Sequence, residues 1–274
     1  TEFDGKNIVF TDIQKGPVMR VATYERGRLR FWTDPFEINV SNEFHFFTPS
    51  DSVQDVTLFA KYTLRADEMF LNRMIGGTFE GSNDPDFREK EVLYLINEKP
   101  KRLQTVVQSY SSKSYRYVRY IGPKDSHCNI AEAAFYTPND TASLKGKVIG
   151  TPGCFQKDGS HEYTNVFDGD VTTSFDYIEP SGGWSGLDLG TPKQIGRIVY
   201  TPRSYDNYIR SGDDYELFYC ARRNNWKSLG DQRSKADSLI YIKIPVNALL
   251  LLCNNTRGIQ ERIFVYTAAE QIWK

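Results

Sequence analysis

The 274-residue sequence has no apolar run near the ~18 residues that a membrane-spanning helix needs. Its longest is ALLLLC at 248–253, which suits one buried strand, so no transmembrane segment is expected. An excess of charge is also missing. Lys and Arg number 34 against 35 Asp and Glu, a net charge of −1. No global field then draws the chain to nucleic acid or to an anionic membrane. Histidine is scarce: His45, His127 and His161 are the only three, and none stands in HExxH. Neither GxSxG nor GxxxxGK[ST] occurs. The four cysteines, Cys128, Cys154, Cys220 and Cys253, form no CxxC pair, which argues against a zinc knuckle or a thioredoxin-type motif. They allow three pairings, among which the sequence does not choose, and burial as small hydrophobes is the plainer reading. His127 precedes Cys128, but adjacent strand residues point to opposite faces, against a nucleophile pair. Carboxylates are plentiful, yet none are singled out as a glycosidase pair. No signal peptide opens the sequence, as in a mature or shortened chain. An enzyme is not expected.

Aromatic residues are abundant instead: 17 Tyr, 17 Phe and 4 Trp, or 14% of the chain. Most of them suit a pleated, half-buried sheet surface; the rest could present flat faces to a sugar ring. The dominant period is two. YRYVRY (115–120) and SLIYIKI (238–244) alternate, the latter placing Ile240, Ile242 and Ile244 on one face with Leu239, Tyr241 and Lys243 on the other. YELFYC (215–220) and RIVYT (197–201) also read as strands, separated by turn formers such as EGSNDPD, EPSGG and RRNN. RADEMFLNRM (65–74) is the one helical pattern, with Asp67 and Glu68 in its first turn and Arg73 in its last, as the helix dipole favours. The expected fold is all-β: two β-sandwich or jelly-roll units, 1–140 and 146–274, meeting in the turn-rich stretch 138–147. IAEAAFYT (130–137) and IQERIFVYT (259–267) repeat Ile, Glu, Phe, Tyr and Thr in order, each closing one half of the chain.

NVFDGDVTTSF (165–175), DLGTPKQIGRIVYTPRSYDNYIRSGDDYELFY (188–219) and IQERIFVYT together resemble the discoidin family, also called coagulation factor five/eight type C or galactose-binding-like. The resemblance covers 150–274. A partial second copy, RMIGGTFEGSNDPDF (73–87), YRYVRYIGP and NIAEAAFYT (129–137), resembles the later half of such a domain, whereas the first sixty residues match nothing in its opening half. The whole arrangement resembles the C-terminal region of surface proteins from gut Bacteroidetes, some of which carry a transglutaminase-like domain upstream.

The resemblance implies a galactose-binding fold that binds rather than cleaves. Asp168, Asp170 and Thr173 match its Asp-Gly-Asp/Asn-x-x-Thr-x-aromatic pattern, with Phe175 where Trp is usual. In many members this loop wraps a calcium ion joined by a carboxylate of the last strand, which maps to Glu261. Calcium takes six to eight hard oxygens; a turn bonded to itself needs no metal, and both readings stay open. Arg203 matches the family's sugar-binding arginine, and Asn207 approximates its asparagine. Tyr177, Trp184 and Tyr205 are candidate stacking faces, and Asn255 and Arg257 could close the site. The plainer role for Arg203 is an ion pair with Asp206 or Asp213. Asn83, Asp84 and Asp86 form a turn of the same general kind. The expected function is non-catalytic glycan or glycoprotein binding by a secreted, periplasmic or outer-surface protein. The alternative is a structural or protein-interaction accessory to an upstream catalytic domain of the same polypeptide.

Overall fold

The computed structural model describes residues 2–3, 8–9, 11, 13–63, 65–222, 226–258 and 261–274. Of the expected elements, parts of the 222–225 turn and of the 259–267 repeat lie outside them. The protein is all-β, with 44% of residues in strands and 4% in helix. Among the described residues there is one α-helix, Arg65–Arg73, where the helical pattern stood, besides a 3-10 turn, Tyr163–Phe167.

The chain forms two compact units, but not the two expected. One comprises 63–208; the other is made from 1–62 and 209–274. The anticipated boundary at 138–147 thus falls inside a unit. The reason is strand pairing. In the continuous unit a five-stranded antiparallel sheet runs in the order Lys147–Gly150, Trp184–Gln194, Ser114–Ile121, Thr78–Ser82, Lys90–Leu95. A three-stranded sheet runs Thr105–Gln108, Arg197–Pro202, Ile130–Tyr136. Both sheets therefore join strands from either side of the expected boundary. The segments resembling the later half of a discoidin domain come first in this unit, and 147–202 complete its sheets.

The two sheets share one core. Phe79 from the larger sheet meets Phe135 and Tyr200 from the smaller, with ring centroids 6.0 and 5.3 Å apart, and Val118, Tyr120, Leu187 and Ile198 fill around them. This layering is sandwich-like. Burying a side chain of this size is worth about 1.5–3 kcal/mol, so the aromatic content of these strands is chiefly structural.

The discontinuous unit has a five-stranded antiparallel sheet in the order Trp226–Arg233, Asp214–Cys220, Leu250–Asn254, Ile263–Thr267, Glu270–Trp273. Leu239–Pro245 pairs with Val53–Leu58, and Val56, Leu58, Tyr215, Leu217, Leu239, Leu252 and Phe264 form the core. The alternation expected at 238–244 has a break. Leu239 and Tyr241 are buried, while Ile240 and Ile242 are 62% and 63% exposed. The pairing register then slips between Tyr241 and Ile244, and Lys243 takes φ 58°. That bulge turns Ile244 inward, because an extra residue reverses the facing of all that follow. In the same unit the hairpin Ala22–Glu25/Arg28–Phe31 turns through Arg26 and Gly27, both at positive φ, as a two-residue primed turn requires.

Candidate functional site

The loop end of the continuous unit holds a cavity of about 330 Å³ lined by Met69, Phe70, Arg73, His127, Asn129, Phe155, Gln156, Asp176, Arg203 and Tyr205. It is built from the C-terminal turns of the helix and from loops that follow strands. Two of the expected residues, Arg203 and Tyr205, are brought together here, just past the end of the Arg197–Pro202 strand.

Arg203 is only 16% exposed and pairs through Nη1 with Oδ2 of buried Asp176. Asp176 was not among the partners expected from sequence, which were Asp206 and Asp213. Its guanidinium lies 4.2 Å from the centre of the Phe70 ring, and Phe70 and Tyr205 sit 5.6 Å apart. The second oxygen of Asp176 accepts a hydrogen bond from Asn129 Nδ2, and Asn129 Oδ1 accepts one from Arg73 Nη1 at 3.2 Å. His161 Nδ1 lies 3.7 Å from Asp176 and 3.2 Å from Ser174 Oγ. One ring nitrogen faces both groups, so this is not the base–orienter geometry of a catalytic triad.

The backbone at the rim is unusual. Asp125, His127 and Cys128 all have positive φ, at 60°, 56° and 63°. Non-glycine residues avoid this region, at a cost of order 1–3 kcal/mol each. It is held by bonds on both sides: the Tyr177 N–H donates to His127 O at 2.7 Å, and the Cys128 N–H to Ser126 Oγ at 3.2 Å. The effect is to turn His127 and Asn129 toward the cavity. Burial pushes the Cys128 thiol up to about 12, leaving it protonated and inert.

The other expected ligand residues lie elsewhere. Tyr177 packs against the core. Trp184 packs at a tilt against Phe87, with ring centroids 5.7 Å apart and Arg119 over its ring. Asn207 is buried and does not line the cavity. Asn255 and Arg257 belong to the discontinuous unit, where Arg257 Nε donates to Asp213 Oδ2 at 2.6 Å. Asp84 bonds to Arg88, which holds its carboxyl down at about 2, and Asn83 ties its turn to the Ser114–Ile121 strand through Ser114 O and the Arg116 N–H. These are structural bonds.

The acidic turn closes on itself. Asp168 accepts from the Asp170 N–H at 2.7 Å and from Thr173 Oγ1 at 2.8 Å, and Asp170 Oδ1 accepts from the Thr172 N–H and hydroxyl. The strand carboxylate beside it is Glu132, not Glu261. Glu132 Oε1 accepts the Gly169 N–H at 2.8 Å, whereas Glu261 lies in the other unit, near Cys253. The physical reason is the strand pairing: Ile130–Tyr136, not the strand after Glu261, shares a unit with the turn. Burial first, and then the adjacent Asp168, push the Glu132 carboxyl up to about 8. Among the described residues no group of three or more His, Cys, Asp or Glu is arranged to hold a metal.

Sequence reasoning missed Asp176, Asn129, Arg73, Phe70, Phe155 and Glu132. Only Glu132 left a signal, through the echo of its strand at 259–267. No helix among the described residues is long and apolar enough to cross a membrane. No protein-family model matches the chain, and comparison with curated proteins and with solved structures returns no match.

Proposed function

We propose that the continuous unit is a non-catalytic carbohydrate-binding module with its site in the cavity beside Arg203. The observation that carries this reading is the joining of aromatic faces (Phe70, Phe155 and Tyr205) with Arg73, Arg203 and Asn129 in one concave patch. A sugar presents hydroxyls around its rim and a flatter apolar face, so it needs planar hydrogen-bonding groups beside an aromatic platform. Each such bond nets only about 0.5–1.5 kcal/mol against water. A few of them give millimolar to high-micromolar affinity. The discoidin resemblance of 150–274, with its partial copy over 73–137, supports the same reading. It also fits a secreted, periplasmic or outer-surface protein. The test is a glycan array on the whole chain, followed by titration of the hits against Tyr205→Ala. Tyr205 is the better probe, being 48% exposed, whereas Arg203→Ala would also strip a buried carboxylate of its partner.

A structural calcium ion at the turn is the second part of the proposal. Asp168, Asp170 and Glu132 supply hard oxygens of the kind it takes, and a cation would take the place of the proton that Glu132 otherwise keeps. The turn's own hydrogen bonds support the metal-free alternative.

The accessory reading draws on a different place. Tyr24, Leu29, Trp32, Phe44 and Phe46, on two hairpins of the discontinuous unit, are 44% or more exposed. Surfaces of that kind suit protein partners.

A further inference from the structure

We infer that the cavity selects sugars that carry a carboxylate group, and that Arg73 reads that charge. The inference rests on the carbohydrate reading of the site and specifies its ligand. Asp176 is the one carboxylate that lines the cavity, and it is already bonded to Arg203 and Asn129. Arg73 is different. Partly buried in the last helical turn, it makes one hydrogen bond to a described residue, the 3.2 Å bond to Asn129 Oδ1. No carboxylate pairs with it among the described residues, and the nearby Glu68 is held by Lys99 at 2.7 Å. The polar lining therefore carries one positive charge more than it neutralises.

Asn129 links the two arginines. Its oxygen faces Arg73 and its amide nitrogen faces Asp176, so the Asp176 network fixes the group on which Arg73 rests. The Arg73 guanidinium has five donors, of which one is bonded to a described residue. A carboxylate matches that fork with two parallel N–H···O bonds. Phe155 and Tyr205, both about half exposed or more, stand on the same cavity for the ring's apolar face. The volume is near the lower end of small-molecule sites, roughly 300–1,000 Å³, which favours one terminal sugar over a long chain.

The experiment is a calorimetric or NMR titration of the whole chain with galacturonate and glucuronate oligosaccharides. Neutral galactose and glucose oligosaccharides of the same length, and their sulfated forms, serve for comparison. The uronates should bind about tenfold tighter than the neutral sugars at low salt, since a charged hydrogen bond is roughly twice as strong as a neutral one. The preference should shrink as salt is raised. Arg73→Gln should erase it, bringing uronate and neutral-sugar affinities together, whereas Tyr205→Ala should weaken both kinds of sugar alike and keep the preference; Arg73→Lys should keep part of it. Circular dichroism on each variant checks that the helix persists. Neutral sugars bound as tightly as uronates, or a preference that survives Arg73→Gln, would overturn this inference and leave the carbohydrate reading standing. Equal capture of the sulfated sugars would overturn the carboxylate assignment. Absence of binding to every sugar, acidic or neutral, would overturn both.

Discussion

Each unit contains an aspartate buried at a loop end and held by one asparagine and one arginine. In the continuous unit the set is Asp176, Asn129 and Arg203. In the discontinuous unit it is Asp213, Asn254 and Arg257. Their surroundings differ. Arg203 is 16% exposed and lies over Phe70, beside a cavity. Arg257 is 43% exposed, and Asn254 Oδ1 spends its capacity on the backbone N–H groups of Thr256 and Arg257. Burial pushes the Asp213 carboxyl up, but the Arg257 and Asn254 bonds outweigh it and leave the group below its usual range. The same three residue types can therefore brace a turn or line a hollow. The aromatic residues around them decide which.

The largest test of that contrast is on stability. Arg203→Ala should cost about 3–5 kcal/mol, because it leaves Asp176 charged and buried without its cation. Arg257→Ala should cost less, about 1–3 kcal/mol, since water reaches that arginine and the charge of Lys61 still acts on Asp213. Denaturant midpoints measure both, and equal losses would erase the distinction.

A comparable contrast divides the two repeated glutamates. Glu132 holds its proton to about pH 8 in the folded protein, against 4.5 for the ordinary group. Between these values the folded state binds more protons than the unfolded one, so stability falls as pH rises. Thermal melts from pH 5 to pH 8 should show this decline, amounting to a few kcal/mol at most. Glu132→Gln should flatten the curve, and Glu261→Gln should leave it unchanged. A curve altered by the Glu261 change would return the acidic turn's partner to the other unit.

Loss of the Tyr205 ring should weaken sugar binding roughly five- to tenfold, as expected for one aromatic platform worth about 1 kcal/mol. Asn255→Ala, in the other unit, should not alter it. Calcium should have the smallest effect. Adding it at pH 8, where Glu132 gives up its proton most readily, should raise the melting temperature by a few degrees through mass action. The rise should be smaller at pH 5. No shift at either pH would leave the turn held by its own hydrogen bonds.

Much of the β framework was legible because strands announce themselves locally. YELFYC, RIVYT and YRYVRY all lie within observed strands, as the period of two required. Pairing was not legible. Nothing in IAEAAFYT states that its neighbour is Arg197–Pro202, so the acidic turn was matched to Glu261 where the structure sets Glu132 beside it, and the units were divided at 138–147. The bulge at Lys243 was equally silent, since it depends on register against Val53–Leu58. Of the residues that line the cavity, Arg203 and Tyr205 had been named from the resemblance. Asp176, next to the acidic turn in sequence, was overlooked because its importance comes from burial, which composition does not reveal.

The interruption of one unit by the other sets an order of events during synthesis. Residues 63–208 are contiguous and can fold as soon as they leave the ribosome, whereas Val53–Leu58 must wait for Leu239–Pro245. At roughly 5–20 residues per second, that wait is on the order of ten to thirty seconds. Val56 and Leu58, fully buried at the end, spend the interval without their sheet. A nascent chain of this design depends on whatever shields a short apolar strand until its late partner arrives.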